Sequence, residues 1–300
     1  MTALASDQRD APLARPVRHK MSWAWLGLMP FFLFAFFFLL YPSSTIAIGS
    51  FTNSPNKAFT LKYVSSLFQN KYVLGAYWIS IKISLITSIG GGIFGFLLAY
   101  AAIRGGLPSF MRSSLMTFCG VASNFAGVPL AFAFIALLSP TGLLIEWIKD
   151  LGYNPYFHGF TLYTFTGLSI VYMYFQFPLM VLIIAPAIDG LRREWVEASQ
   201  NLGANSFQYW RYVALPILLP SIMGTMILLF GNSFGAFATA YALTGGEINL
   251  VTLVIGSQLS GDVLGSAGLG YACCLGMVVV MALAITGYTL LQRRTERWLK

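Results

Sequence analysis

Residues 197–203 read Glu197-Ala198-Ser199-Gln200-Asn201-Leu202-Gly203, and after nine more residues the chain continues Val213-Ala214-Leu215-Pro216. The segment lies between two runs that contain no charged residue, 161–188 and 216–243. Each run exceeds the roughly 20 apolar residues that a helix needs to cross the hydrocarbon of a bilayer. A polar stretch wedged between two such runs must emerge from the membrane, and its pattern is that of a short helix with a sharp end. If it is helical from Leu191, then Leu191, Trp195, Ala198 and Leu202 fall at i, i+4, i+7 and i+11 and form one apolar stripe. Arg193 and Glu197 are spaced to pair along the flank. Gly203 stands where a helix ends on a residue free to take positive φ. Asn205 or Ser206 can then cap a second turn through Phe207, Tyr209 and Trp210. Pro216 is placed to open the next span, where its missing N–H costs nothing.

The rest of the chain extends this reading. Of the 300 residues, 57% are hydrophobic and 9% charged, whereas soluble domains carry about 25% charged residues. So little polar surface cannot clothe a soluble core. Spans are expected near Trp23–Ile48, Ile83–Ile103, Ser113–Leu138, Thr161–Ile188, Pro216–Leu243 and Ala267–Leu291. Because backbone groups in lipid must be satisfied within the segment, and the runs lack alternating polarity, the spans are helices. The fold class is all-α, a polytopic transmembrane helical bundle with about six spans. Two short surface helices are expected outside it, one in the loop Gly49–Lys71 and one around Leu143–Ile148. Residues 1–20 read as a polar, disordered tail and 21–300 as the membrane domain, within which 189–216 is the segment quoted above. The first span is too long for a signal peptide and is read as a retained anchor.

Lys and Arg set the orientation. Thirteen of the 18, including Arg104, Arg112, Arg192, Arg193 and Arg211, fall on one side of this arrangement. That side is therefore cytoplasmic, with both termini and the Glu197 segment. The split accounts for the net charge of +8 without a nucleic-acid partner. Cys119, Cys273 and Cys274 lie in uncharged runs and read as buried, inert thiols. His19 and His158 have no neighbouring ligand cluster, and no metal or cofactor is expected. Within the spans, Tyr172, Gln176 and Asn232 are candidates to line a translocation path. The alternative for Gln176 and Asn232, and the favoured one for Asn124, is interhelical hydrogen bonding. The glycines Gly90, Gly91, Gly92 and Gly95 supply small-residue contact between helices.

The quoted run resembles the signature of permease subunits in bacterial ABC importers: Glu-Ala-Ala, three residues, Gly, nine residues, then Ile-x-Leu-Pro. Glu197, Ala198, Gly203, Leu215 and Pro216 match at the family spacing, with Ser199 and Val213 in place of Ala and Ile. The resemblance is to type I importers. It implies that Glu197, Ala198, Ser199, Leu202, Gly203, Ala204, Leu215 and Pro216 belong to a coupling helix seated on a cytoplasmic ATPase dimer. It also implies a second permease subunit, an extracytoplasmic substrate-binding protein and membrane lipid as partners, in a bacterial inner membrane. Over most of its length the chain is similar to the spermidine and putrescine subfamily, through Phe177-Pro178-Leu179-Met180, Gly235-Ala236-Phe237-Ala238-Thr239 and Leu243-Thr244-Gly245-Gly246. The cargo implied is a polyamine. Relatives of that group that carry iron, sulfate or aminophosphonates keep other small solutes open.

No Gly-x-x-x-x-Gly-Lys-[Ser/Thr] run occurs, so ATP hydrolysis falls to a partner and this chain is not expected to be an enzyme. An ion-coupled secondary transporter is the competing class. It calls for embedded carboxylates or a repeated pair of broken helices, and the sequence shows neither.

Overall fold

The structure, a computed structural model, describes residues 24–53, 58–260 and 266–296. The expected tail, 1–20, lies outside the described residues. Two units divide the chain, 1–45 and 46–300. Among the described residues six helical stretches are long and apolar enough to cross a membrane: Gly27–Ser50, Lys71–Arg104, Val128–Asp150, Phe165–Asp189, Ser206–Phe234 and Ala267–Arg293. Apart from one isolated bridge between Thr52 and Phe59, the regular structure described is helical.

In the first unit, α1 (Ala24–Ala35) passes through a π turn at Phe36–Leu40 into α2 (Tyr41–Ser50). Tyr41 N–H donates to the Phe36 carbonyl, and Pro42 follows. A proline ring collides with the carbonyl four residues earlier and leaves it without a donor. The widened turn contains that carbonyl, on Phe38, and absorbs the conflict. The second unit uses the same device. Leu215 N–H donates to the Trp210 carbonyl across a π turn at Trp210–Ala214, and Pro216 follows. This corrects the expectation that Pro216 opens a span. The helix is already running from Ser206, and Pro216 sits inside it.

The second unit takes in the end of α2 from Ile46 and continues with the surface helix α3 (Lys62–Gln69) and the long α4 (Lys71–Arg104). Its 34 residues reach about 51 Å at 1.5 Å per residue, well beyond a hydrocarbon thickness near 30 Å. The span therefore starts twelve residues earlier than the charge-free run from Ile83, and Lys82 is accommodated over the face of Trp78 at 4.8 Å. Next come α5 (Ser109–Asn124) and α6 (Val128–Leu138), in place of the single helix expected over Ser113–Leu138. Gly127, at φ +77°, makes the break. The short helix expected near Leu143 is α7 (Leu143–Asp150), and α8 (Phe165–Asp189) returns across the bundle.

The chain then forms α9 (Arg193–Asn201), α10 (Ser206–Tyr209) and α11 (Leu215–Phe234). A second break at Gly235–Phe237 precedes α12 (Ala238–Thr244), so the run Pro216–Leu243 is also not one helix. The two breaks adjoin: Gly127 N–H donates to Thr239 Oγ1 at 2.8 Å, and Tyr172 Oη donates to the Ala236 carbonyl at 2.9 Å. The helix α13 (Val251–Leu259), which no apolar period announces, precedes the last span, α14 (Ala267–Glu296).

The centre is the pair α4 and α8, with α11 laid against both. Lipid is as apolar as leucine, so such helices associate through close packing and interhelical hydrogen bonds rather than hydrophobic exclusion. Close packing is literal here. A Cβ on Gly91 would fall 2.5 Å from Gln176 Cβ, and one on Gly95 would fall 2.5 Å from the Phe177 carbonyl oxygen. Gly92 turns towards Met226 of α11. The glycine cluster thus separates contacts to two helices on successive faces.

Gly91→Ala is expected to destabilise the protein in detergent by about 1–3 kcal/mol, the usual cost of overpacking. Gly120→Ala, where nothing lies within 4 Å, should be neutral or slightly stabilising because helical glycine costs up to about 1 kcal/mol relative to alanine. Melting temperatures of the two variants check the order.

Candidate functional site

The segment 189–216 is built around a helix end. α9 starts at Arg193, with Arg192 in extended conformation before it. At its other end Gly203 takes φ +77°. Gly203 N–H donates to the Gln200 carbonyl and Ala204 N–H to the Ser199 carbonyl, both at 2.9 Å. These are the paired 5→2 and 6→1 bonds of a Schellman motif, which satisfy carbonyls that the helix leaves orphaned. A side chain at residue 203 would strain this left-handed turn, which is why glycine stands there. Asn205 then forms a reciprocal capping box with Gln208: Gln208 N–H donates to Asn205 Oδ1 and Asn205 N–H to Gln208 Oε1, both at 2.8 Å. Of the two caps considered, Asn205 is the one used.

The register of α9 differs from the expected stripe. With the helix starting at Arg193, its inward face is Trp195, Val196 and Ser199, and Leu191 is buried just before it. Ser199 Oγ satisfies itself on the Val196 carbonyl at 2.7 Å. Glu197, Ala198 and Leu202 point outward instead, and Leu202 is 88% exposed. Leu191 and Trp195 thus hold the helix to the bundle while Ala198 and Leu202 are free of it. The expected Arg193–Glu197 pair is not formed; among the described residues the ion pair joins Arg112 and Asp189. Arg192 lies 6.0 Å from the Trp195 ring.

Two contacts fix the segment to the spans, and neither was read from sequence. Arg104, in the last turn of α4, donates through Nη2 to the carbonyls of Ile188 and Leu191. Arg112 of α5 pairs with Asp189 at the end of α8. Both cations sit where C-terminal carbonyls of α8 lack helical partners, a favourable place for positive charge. Their gathering at one end of the bundle was legible; their partners, 77 to 87 positions away, were not. Trp210 is clamped from α4 by Tyr100, edge to face at 4.9 Å. Ala204 is half-buried, Leu215 exposed and Pro216 half-buried in the wall that continues into α11.

The candidate path residues separate. Gln176 is fully buried, and its Nε2 donates to the Leu229 carbonyl at 3.0 Å and to Thr87 Oγ1 at 3.4 Å. Thr87 Oγ1 and Ser233 Oγ share a further bond of 2.9 Å. Gln176 therefore joins α8 to α4 and α11, the interhelical alternative of the two readings. Tyr172 is buried and bonded to Ala236. Asn232 is exposed on α11. Asn124 donates to the Gly120 carbonyl of its own helix. Cys119 and Cys273 are buried and Cys274 half-buried, all unpaired. No group of three His, Cys, Asp or Glu that could hold a metal occurs among the described residues.

Asn205→Ala removes the cap and should cost about 0.5–2 kcal/mol. Gly203→Val should cost at least as much through strain. Both should speed amide hydrogen exchange in 199–209 while leaving α4 and α8 protected, which exchange mass spectrometry would resolve.

Comparison with known proteins follows the same lines. The chain is 27% identical to the spermidine/putrescine transport system permease protein PotB of Haemophilus influenzae, over 88% of this chain and 94% of that one. It is 28% identical to the sulfate transport system permease protein CysT of Escherichia coli, over 59% of this chain and 61% of that one. A probable sulfate permease of Nephroselmis olivacea matches at 24% over 75% of this chain and 73% of its own. In fold the chain is similar to a bacterial ABC transporter involved in alginate import, with a TM-score of 0.68 at 18% identity, covering 92% of this chain and 96% of that one. A further match is the inward-facing MetNI methionine ABC transporter, with a TM-score of 0.52 at 17% identity over 75% of this chain and 99% of that one. The family model for binding-protein-dependent transport system inner membrane components matches residues 21–297, and this chain belongs to that family of multi-pass inner-membrane transport proteins.

Proposed function

We propose that the protein is the permease subunit of an ATP-driven importer and that α9 is its contact with a separate ATPase. The observation that carries this is the outward set Glu197, Ala198 and Leu202, held on a helix whose other face is anchored and whose end is capped. A small, exposed apolar patch flanked by the carboxylates of Glu194 and Glu197, on a short capped helix, fits a groove in a partner protein. Glu197 supplies polar contacts, Ala198 permits close approach, and Gly203 with Ala204 sets the turn. Ser199 faces the bundle and transmits force inward. Leu215 and Pro216 lead that force into α11. ATP binding closes two ATPase subunits, α9 moves with them, and the spans reorient to receive solute from an extracytoplasmic binding protein. A second permease subunit completes the path, to which Asn232 is the contribution from the exposed face of α11.

Both termini and α9 lie in the cytoplasm in this reading. The support is that Arg104, Arg112, Arg192, Arg193 and Arg211 gather at the α9 end of the bundle, where the positive-inside rule places them. The cargo we infer is a small solute of the polyamine class, putrescine or spermidine. The polyamine relative spans more of this chain than the sulfate relatives do. Sulfate is the solute to test beside it.

In proteoliposomes containing the whole complex, a binding protein loaded with putrescine or spermidine should stimulate ATP hydrolysis and uptake, and one loaded with sulfate should not. Glu197→Lys should reduce uptake at least tenfold while the complex still assembles. Undiminished uptake in that variant would sink the role given to α9, and ATP-independent uptake driven by an ion gradient would replace the importer reading altogether. A Leu202→Cys variant in right-side-out vesicles should react with an impermeant maleimide only after permeabilisation. Labelling of intact vesicles would invert the orientation.

A further inference from the structure

The inner face of α9 forms one wall of a half-open cavity of about 390 Å3. Its walls include Tyr100 and Arg104 from the end of α4, Ser199 from α9, and Ser206, Tyr209 and Trp210 from the helix that follows. The volume lies within the roughly 300–1,000 Å3 of small-molecule sites.

Two features define what it can hold. Arg104 is the one charged residue in the wall. Its Nη2 is spent on the Ile188 and Leu191 carbonyls, and among the described residues no carboxylate lies within ion-pair distance of it. The acids of α9, Glu194 and Glu197, are exposed and form no part of the wall. A half-buried guanidinium without a counter-charge is an expensive arrangement, and its remaining N–H donors keep the planar fork that fits a carboxylate. The other feature is aromatic. Tyr100 and Trp210 meet edge to face, and with Tyr209 they give apolar walls for a flat ring.

We propose that this cavity binds a small organic anion with a flat apolar body, an aromatic carboxylate, and that the occupant braces α9 against the end of α4. The carboxylate lies on the free edge of Arg104, beside the Ser206 hydroxyl, and the ring packs among Tyr100, Tyr209 and Trp210. Glu197, Ala198 and Leu202 lie on the opposite face of α9, so the occupant stiffens the helix without covering its outward contact. The consequence for transport, though not the binding itself, rests on α9 being the ATPase contact.

Equilibrium dialysis of the purified full-length permease in its complex, with radiolabelled benzoate and with benzyl alcohol as the neutral counterpart, tests the site. Benzoate should bind saturably, one per permease chain, and at least tenfold tighter than benzyl alcohol. Arg104→Gln should weaken benzoate binding about tenfold or more. Ser206→Trp, which fills the cavity from an exposed position and leaves the Arg104 anchor intact, should abolish it. Bound benzoate should also slow amide exchange across Gln200–Ala204. Equal affinity for the two probes, no saturable binding, or unchanged affinity in Ser206→Trp would overturn the site, and unchanged exchange would overturn the bracing. Dialysis needs no ATP, so failure of the ATPase contact and failure of this site are read separately.

Discussion

The approach of α4 to α8 at Gly91 and Gly95 is the constraint from which the remaining architecture hangs. No side chain fits between the two backbones there, and in a lipid solvent such closeness replaces hydrophobic exclusion as the source of cohesion. It also places Gln176 opposite Thr87 and the Leu229 carbonyl, so that one buried amide ties three helices. The amide nitrogen, at this depth, is tolerable because it is bonded in this way. With α4 and α8 in contact along their length, their ends at Arg104 and Ile188 also coincide. The Arg104 clamp, and hence the position of α9, follows from helix packing well inside the membrane.

Proline and glycine shape what the central pair leaves free. Each π turn closes on the residue before a proline, so the missing N–H is absorbed by a widened turn and the span continues unbroken. True interruptions occur instead at Phe125–Gly127 and Gly235–Phe237, and they are neighbours in space, joined by Gly127 and Thr239. Irregular backbone at membrane depth is tolerated where it is buried in protein or faces a cavity. The freed Gly127 N–H is satisfied by Thr239 just beyond the second break, and the Ala236 carbonyl within that break by Tyr172 of α8.

In the segment 189–216 the difference between expectation and structure is one of register. The stripe Leu191, Trp195, Ala198, Leu202 assumes a helix beginning at Leu191. Leu191 is instead held by Arg104 through its carbonyl and precedes the helix, which begins at Arg193. The inward positions therefore fall on Trp195, Val196 and Ser199, and Ala198 and Leu202 move to the outside. The polar Ser199 occupies an interior position at no cost because its hydroxyl bonds within its own turn. The outer face is left with Ala198 and Leu202 beside two acids, Glu194 and Glu197.

The sequence by itself determined the helical membrane class, the number of candidate spans, and the end of α9 at Gly203 with a cap for the next helix just after it. Those features depend on local rules: hydrophobic length, the positive φ that Gly203 tolerates, and the short-range bonds of Asn205. Only the tertiary structure decided which glycine meets which helix, that Gln176 faces neighbouring helices while Asn232 faces outward, where two of the expected spans break, and that Arg104 clamps the end of α8. Each of these depends on partners far apart in the chain, up to the 134 positions between Gly92 and Met226. A single chain of residues carries no record of such distances until the helices are packed.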